Sequence, residues 1–253
     1  MKHLEFGKDI PDPMEPYLAV DRSGPRHECW VTGHMVAGLD GTAAIDGKVG
    51  ALSTEVDQKL FRQMRQIADV VLVGAETVRK EGYGLVRLSD EAKAQREAEG
   101  KPPTPPVAVV TGSLNLNWNL KLFKAAPEHA PTMIITSAAA DPDKLAEAKK
   151  HATVVIAGEE RVEPAAALQA LAERGHEVVL CEGGPTLLGE FVAAERLDEL
   201  CLSIAPVMGG DNLPVGIMPD GGGVHHFELK SVKGEEHTLF LRYEVAKEGS
   251  GHE

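Results

Sequence analysis

Short apolar runs alternate with amphipathic segments along most of the chain. The runs Val70–Val73 and Val107–Val110 are continuous, which is typical of strands covered on both faces. Between such runs, apolar residues recur three or four positions apart, as on the inner face of a helix. Strands that alternate with helices in this way predict an α/β fold, with a mostly parallel central sheet and helices on both faces.

The same pattern places the individual elements. It predicts six strands of the parallel part: Cys29–Val36, Val70–Val73, Val107–Val110, Thr132–Thr136, Thr153–Ile156 and Glu177–Cys181. Leu197–Ala205 begins the last stretch of the chain. Two alternating segments near the end of the chain predict an antiparallel hairpin at one sheet edge: Glu228–Val232 and Thr238–Val245. Helices are predicted from the N-cap signature at Ser53 to Ile67, in part of 89–105, and over Asp141–Lys150, Pro164–Arg174 and Thr186–Ala194.

Two glycine-containing turns each follow an apolar run and open a helix. They are Gly74–Val78 and Glu182–Leu187. Glycine lets the backbone approach a ligand closely, Pro185 suits the first helical position, and free N–H groups at a helix start attract phosphate. Neither turn matches the G-x-G-x-x-G or P-loop fingerprints, so a plain strand-to-helix turn stays an alternative for each. Together they predict one cleft that holds both sides of a nucleotide cofactor.

Composition narrows the class of partner. The formal net charge of -13 disfavours nucleic acid. No apolar run reaches the length of a membrane span, and the first residues do not resemble a signal peptide. Three scattered cysteines in apolar runs (Cys29, Cys181 and Cys201) predict reduced thiols in a cytoplasmic protein. No cluster with ligand spacing predicts a metal. We expect one domain over 26–246, a proline-containing extension over 1–25, and a polar tail over 247–253.

Three separated segments resemble the reductase domain of the riboflavin-biosynthesis deaminase-reductases, the RibD C-terminal domain family, which is related to dihydrofolate reductase. They are Met35–Gly41, Ala68–Val78 and Glu182–Leu187, the last continued by Leu197–Leu200 and Ile204–Gly210. Their order and spacing agree over about residues 27–245. The stretch after Val78 is similar to stand-alone pyrimidine reductases, and the zinc-deaminase signature is absent from the sequence. The resemblance implies a dihydrofolate-reductase-like reductase domain over 26–246.

The resemblance also implies NADPH as the cofactor and a homodimer as the assembly. The cofactor-binding residues that it implies are Gly74, Ala75, Glu76, Thr77, Val78, Thr111, Ser113, Glu182, Gly183, Gly184, Pro185, Thr186 and Leu187. Thr111 and Ser113 occupy the turn that receives the 2′-phosphate in this family. No Arg or Lys follows that turn before Lys121, so the preference for NADPH over NADH stays open.

The implied reaction reduces 5-amino-6-(5-phosphoribosylamino)uracil to the ribitylamino product, by hydride transfer to C1 of the sugar. The substrate-binding residues predicted with it are His34, Ser53, Arg62, Arg65 and Arg87. Asp40 is predicted to be catalytic, orienting ribose hydroxyls or assisting ring opening as an acid or base. The alternatives are an Asp-Gly turn for Asp40, an N-cap for Ser53, and solvated helix charges for the arginines of 62–65.

Two other functions stay open. A dihydrofolate or pterin reductase could keep the same fold and cofactor cleft, and would need one carboxylate in an otherwise apolar pocket. A phosphoribosyl substrate instead predicts basic or hydroxyl side chains at the nicotinamide end. His34 and Gly38 depart from the family pattern and keep the pterin reading open. The third reading is a paralogue that binds NADPH without catalysis.

Overall fold

The computed structural model describes residues 12–246. Its centre is one nine-stranded sheet, which helices cover on both faces. The strands are β1 Trp30–Ala37, β2 Val70–Gly74, β3 Val107–Val110, β4 Met133–Thr136, β5 Thr153–Ile156, β6 Val178–Cys181, β7 Glu199–Ile204, β8 Phe227–Glu235 and β9 Thr238–Val245. The helices are α1 Glu15–Leu18, α2 Glu55–Met64, α3 Ala75–Glu81, α4 Asp90–Ala98, α5 Lys121–Lys124, α6 Pro142–Ala148, α7 Pro164–Ala172 and α8 Pro185–Ala193.

The sheet is parallel through most of its width. Its order is β5-β4-β3-β2-β6-β1-β7-β9-β8. Strands β1 to β7 pair in parallel, whereas β9 pairs antiparallel with both β7 and β8. The predicted α/β class, the mostly parallel sheet and the antiparallel edge hairpin are therefore confirmed. Because β6 lies between β1 and β2, the carboxyl ends of all three strands meet at one sheet edge, where ligands bind in open α/β sheets.

Alternate residues of β2 enter two separate cores. Val71 and Val73 pack in one core with side chains of α2 and α3. Val70 and Leu72 pack in the other with side chains of α7 and α8. All four side chains are fully buried. Since successive side chains of a strand point to opposite faces, a continuous apolar run is what a strand covered on both faces requires.

The predicted elements agree with the structure to within a few residues, with small differences at helix ends. Helix α2 ends at Met64, three residues before the predicted Ile67, and its N-cap is Thr54, whose hydroxyl accepts the N–H of Asp57. The alternative reading of Ser53 as the N-cap is therefore wrong. Helices α1 and α5 have four residues each, too few for a helical period to show in the sequence.

The segment before β1 is attached to the sheet by a buried ion network. Tyr17 packs in the core beside α2. Arg22 donates to the Glu199 carboxylate at 2.8 Å, and Arg242 of β9 donates to the same carboxylate at 3.0 Å. The Thr32 hydroxyl is a third donor to it. Of the predicted extension and tail, residues 1–11 and 247–253 lie outside the described residues.

We expect Glu199→Ala to destabilise the protein strongly. Glu199 is fully buried, and its removal leaves Arg22 and Arg242 largely buried without their anion. Breaking a buried ion pair in this way costs about 3–5 kcal/mol. The free energy of unfolding measured in urea gives the loss. The control is Glu147→Ala, which removes a solvent-exposed pair with Lys150 and should lower stability far less. Equal losses in the two variants would contradict the structural role of Glu199.

Candidate active-site cleft

The two glycine turns meet at the carboxyl edge of the sheet. The Gly74 N–H donates to the Gly183 carbonyl at 2.8 Å. A Cβ atom on Gly74 would lie 3.4 Å from the Gly184 nitrogen, and one on Gly184 would lie 3.2 Å from the Thr77 hydroxyl oxygen. Gly183 has φ +86, in the region that favours glycine, and the peptide bond between Gly183 and Gly184 is cis. The absence of side chains is thus what allows the two backbones to approach.

Both turns present helix N-termini to the same space. Helix α3 begins after its N-cap Gly74, and α8 begins after its N-cap Gly184, with Pro185 at the first helical position. Neither N-cap supplies a side-chain hydrogen bond. The first N–H groups of a helix have no intrahelical partner, so they are open to a ligand with acceptor oxygens.

A cavity of about 780 Å³ extends from these turns along the sheet edge. Its volume is in the range of sites that bury a drug-sized or cofactor-sized ligand. Most of the predicted cofactor and substrate residues line it: His34, Ser53, Arg62, Arg65, Gly74, Ala75, Glu76, Thr77, Thr111, Ser113, Glu182, Gly183, Gly184, Pro185, Thr186 and Leu187. Residues distant in sequence therefore lie around one space.

Three predicted site residues do not line the cavity: Asp40, Val78 and Arg87. Val78 is fully buried in the core, and Arg87 is exposed elsewhere on the surface. The exposed Asp40 carboxylate accepts the N–H groups of Gly209 at 2.8 Å and Thr42 at 3.2 Å. These bonds hold the pKa of Asp40 below its usual range. The structure therefore favours the turn-forming alternative for Asp40 over the predicted catalytic role.

Glu182 is bound by two side chains of the cavity wall. Arg65 donates to both of its carboxylate oxygens, at 2.7 and 2.8 Å, and the Tyr83 hydroxyl donates to the second oxygen. Although burial alone would lower the pKa of Arg65, the Glu182 carboxylate raises it above its usual value. Burial, and then the charge of Glu182, raise the pKa of Tyr83. Arg65 and Glu182 therefore fix each other, and the charge of Arg65 is already compensated by a carboxylate before any substrate phosphate binds.

The floor of the cavity on the α2 side carries His34, Asp57 and Phe61. The His34 and Phe61 rings stack with centroids 4.9 Å apart. His34 is 3% exposed and Asp57 is 2% exposed. Sequence analysis missed Asp57 and Phe61, although with Arg65 they follow an i, i+4, i+8 spacing that places them on one helix face. The apolar residues of α2, Val56, Leu60 and Met64, form the adjacent row, which faces the core. The helical pattern of the sequence predicts that row and not the one that faces the cavity.

Cationic side chains lie at the other end of the cavity. Arg79, on α3, lines the cavity and donates to the Asn115 carbonyl at 3.0 Å, beside the predicted phosphate turn. Arg161, which precedes α7, also lines it and pairs with Glu190 at 3.2 Å. The sequence argument for this turn considered only the residues that follow Ser113. Both arginines come from other parts of the chain, so it did not include them. The Thr111 hydroxyl accepts the Leu114 N–H, which shapes the turn itself.

Residues 12–246 also bear on two other kinds of site, a membrane-crossing helix and a metal centre. None of the helices there has the length and apolar character that crossing a membrane would require. No group of three or more His, Cys, Asp and Glu side chains within the same residues is placed to hold a metal ion.

The fold and the cleft place the protein in the class of open α/β-sheet proteins, whose ligand sites lie outside the carboxyl ends of the parallel strands. Within that class, the chain matches the family described as RibD C-terminal domain over residues 29–238. The protein therefore belongs to the RibD C-terminal domain family.

Named relatives agree with this assignment, and a solved structure shares the fold. The chain is 30% identical over 180 residues to a protein of Archaeoglobus fulgidus, covering 68% of this chain and 81% of the relative. It is 30% identical over 221 residues to a protein of Aquifex aeolicus, covering 80% and 92%. Both relatives are named 2,5-diamino-6-ribosylamino-4(3H)-pyrimidinone 5′-phosphate reductase. The fold is similar to that of a pyrimidine reductase-like protein of Corynebacterium diphtheriae, with a TM-score of 0.80, 24% identity, and coverage of 94% and 96%.

We expect His34 to make stability depend on pH. Burial lowers the pKa of His34 and Arg65 lowers it further, against the opposing charges of Asp57 and Glu182. In the unfolded chain, the pKa of His34 is about 6.5. Just below that pH, the His34 side chain is therefore protonated in the unfolded chain but stays largely neutral in the folded protein. The free energy of unfolding should therefore fall as the pH drops through and below about 6.5.

The His34→Gln variant isolates this effect, because His176 also has a lowered pKa. Between about pH 7.5 and pH 5, the wild-type protein should lose more stability than the variant. Denaturant unfolding at each pH measures the difference. Parallel stability curves for the two proteins would show that His34 does not titrate as its burial requires.

Proposed function

We propose that the protein is an NADPH-dependent reductase of the riboflavin-biosynthesis type, acting on a phosphoribosylamino-pyrimidine. The predicted substrate is 5-amino-6-(5-phosphoribosylamino)uracil, reduced at C1 of the sugar to the ribitylamino product. The contact between the Gly74 and Gly183 turns carries the proposal, because it opens two helix N-termini to one cavity. Family membership and the reductase names of the relatives support it. The relatives' names indicate a second pyrimidine phosphate as a candidate for the substrate, the 2,5-diamino-pyrimidinone phosphate.

The residues of the cleft fit a pyridine nucleotide. The close-packed Gly74 and Gly184 and the uncapped N-termini of α3 and α8 would hold its phosphates. Thr111 and Ser113, with Arg79 at the same turn, would hold the 2′-phosphate. When bound, the nicotinamide supplies the hydride. The protein orients the substrate against it and excludes water from the reacting atoms.

On the substrate side, Arg62 is the residue best suited to a phosphate. It lines the cavity, is exposed, and forms no ion pair among residues 12–246. Arg65 is instead held by Glu182. The Phe61 ring, against which the buried His34 ring stacks, offers a planar apolar face to the ring of the substrate. We propose that Arg62 binds the phosphate while the ring enters toward Phe61.

A pterin or dihydrofolate substrate is the second candidate, and one observation favours it. A pterin needs a single carboxylate in an otherwise apolar pocket, and Asp57 beside Phe61 provides one. The cofactor cleft would be unchanged. The third reading, a paralogue that binds NADPH without catalysis, is separated from both by an activity measurement.

We also propose that the protein works in the cytoplasm as a homodimer. Strand β8 lies at the edge of the sheet and exposes Leu229 to 51%. Its outer edge pairs with no other strand among residues 12–246, and such a partly apolar edge is a ready surface for pairing with another chain. Light scattering of the purified protein measures its mass in solution.

The proposed function is tested by the absorbance of NADPH with three compounds in parallel. They are the ribosylamino-uracil phosphate, the 2,5-diamino-pyrimidinone phosphate and dihydrofolate. Oxidation with either pyrimidine phosphate supports the proposal, and oxidation with dihydrofolate alone supports the second candidate. NADPH binding without oxidation identifies the non-catalytic paralogue. Failure to bind NADPH overturns all three.

The variant Gly183→Ala should weaken NADPH binding about tenfold. A left-handed residue with a side chain is strained by roughly 1–2 kcal/mol and its methyl group would meet the Met35 sulfur at 3.2 Å, so the turn would move away from the position in which it meets the cofactor. Calorimetric titration measures the affinity. Gly84→Ala is the control, since a Cβ atom there meets nothing within 4 Å and Gly84 lies outside the cavity lining.

We expect Arg79→Ala to change the choice between cofactors. Loss of a charge-assisted hydrogen bond to the 2′-phosphate should raise the KM for NADPH about tenfold and leave that for NADH nearly unchanged. Initial rates with both cofactors give the ratio. Lys93→Ala, which removes an exposed cation on α4 paired with Asp90, is the matched control. A uniform rise for both cofactors would place Arg79 outside the 2′-phosphate site.

A further inference from the structure

We propose that Tyr83 is a positioning residue of the reductase reaction, because its hydroxyl group fixes the Arg65–Glu182 pair between the glycine turns and the substrate side of the cleft. The inference rests on the proposed function and deepens it, since it adds a residue that governs the rate of hydride transfer. Tyr83 follows α3 and belongs to the cavity lining. The site residues that the sequence predicts do not include it.

The end of α3 determines where Tyr83 lies. Helix α3 begins at the first glycine turn and ends at Glu81, and Gly82 follows it with φ +60, in the left-handed region that favours glycine. The Tyr83 N–H then donates to the Val78 carbonyl at 3.3 Å. The chain thus turns back along the helix, and the half-buried Tyr83 ring packs against the core that also holds side chains of α2.

Three elements of the cleft meet at the carboxylate of Glu182, whose side chain is fully buried. Glu182 directly precedes Gly183 of the second glycine turn, and its N–H donates to the Leu72 carbonyl of β2 at 2.9 Å. Arg65 reaches the carboxylate from α2, through Nε at 2.7 Å and Nη2 at 2.8 Å. Tyr83 reaches it from the end of α3. Both glycine turns and the substrate-side helix are therefore joined at one group.

The Tyr83 hydroxyl completes a closed set of hydrogen bonds. It donates to the Glu182 oxygen that Arg65 Nη2 also contacts, and Nη2 donates to the Tyr83 oxygen at 3.1 Å. Burial, and then the charge of Glu182, raise the pKa of Tyr83, so the hydroxyl keeps its proton and stays a donor at neutral pH. Without the hydroxyl, the Arg65–Glu182 pair would lose its third point of attachment and could pivot.

Arg65 also connects this set of hydrogen bonds to the substrate side. Its guanidinium carbon lies 5.4 Å from the centre of the Tyr83 ring and 4.8 Å from the centre of the Phe61 ring. Phe61 is the proposed face for the substrate ring, so a displaced guanidinium would change how that face lies relative to the second glycine turn. Misplacement of reacting groups by about 1 Å can cost about 100-fold in rate. Tyr83 thus acts on the rate of the reaction more than on affinity.

The variant Tyr83→Phe tests this role, since it removes the hydroxyl and keeps the ring. With the enzyme in excess of NADPH and the substrate saturating, stopped-flow absorbance gives the single-turnover rate constant within the ternary complex. That rate constant should fall about tenfold, the factor for loss of a hydrogen bond to a charged group. The Kd for NADPH, measured by calorimetry, should stay within about twofold of wild type. Partial unfolding would lower the amplitude and not the rate constant.

Tyr243→Phe is the matched control. It removes the hydroxyl of a partly buried tyrosine on β9, outside the cavity lining, so it should keep the wild-type rate constant. Thermal unfolding verifies that both variants are folded. An equal fall of the rate constant in Tyr83→Phe and Tyr243→Phe overturns the inference, because the loss would then not depend on the bonds to Glu182.

The other outcomes separate this inference from the proposed function. The substrate is whichever of the three compounds in the NADPH assay the wild-type protein reduces fastest. A wild-type rate constant in Tyr83→Phe overturns the inference alone. So does a tenfold rise in the substrate KM or in the Kd for NADPH without a change in the rate constant, which would make Tyr83 a ligand contact. Failure of the wild-type protein to oxidise NADPH with all three compounds overturns the proposed function, and the inference with it.

Discussion

The hydrogen bond from the Gly74 N–H to the Gly183 carbonyl is the contact on which the cleft depends. It exists because β2 and β6 are neighbours in the sheet, so their carboxyl ends deliver the two turns to the same edge. A side chain on Gly184 would press against Thr77, and one on Gly74 would reach the backbone of the opposite turn. The mutual approach of the two backbones thus leaves the first N–H groups of α3 and α8 facing one cavity.

The second turn is also joined to the substrate side. Glu182 precedes the two glycines and is held by Arg65 of α2 and by Tyr83, which follows α3. A buried carboxylate with two charge-assisted bonds to one guanidinium has little freedom to move. The helix that carries Asp57 and Phe61 is therefore fixed to the turn that we propose holds the cofactor, and such rigidity is what alignment of a hydride donor and acceptor requires.

Local charge in the cleft differs from the charge of the whole chain. The net charge is -13, yet the cavity lining carries as many basic side chains (Arg62, Arg65, Arg79, Lys80 and Arg161) as acidic ones (Asp57, Glu76, Glu81, Glu182 and Glu190). Arg62 and Arg79 form no ion pair with the described residues, so an anionic group of a ligand is favoured beside them. The acidity of the whole protein favours solubility and disfavours nucleic-acid binding. It does not determine which ligand binds in this cleft.

The sequence by itself determined most of the elements, the sheet class and the two turns, because strand and helix periods and glycine turns are local properties of the chain. Most of the site residues that it indicated line the cavity. Only the tertiary structure decided that Asp40 fixes a loop and that Val78 faces the core. It also decided that two arginines from elsewhere in the chain, Arg79 and Arg161, line the cavity that the Ser113 turn lines. It likewise decided that Arg65 is bound to Glu182 and that Asp57 is left with an unpaired oxygen. The reason is physical: hydrogen-bond partners and burial arise between residues far apart in sequence, and no local pattern records them.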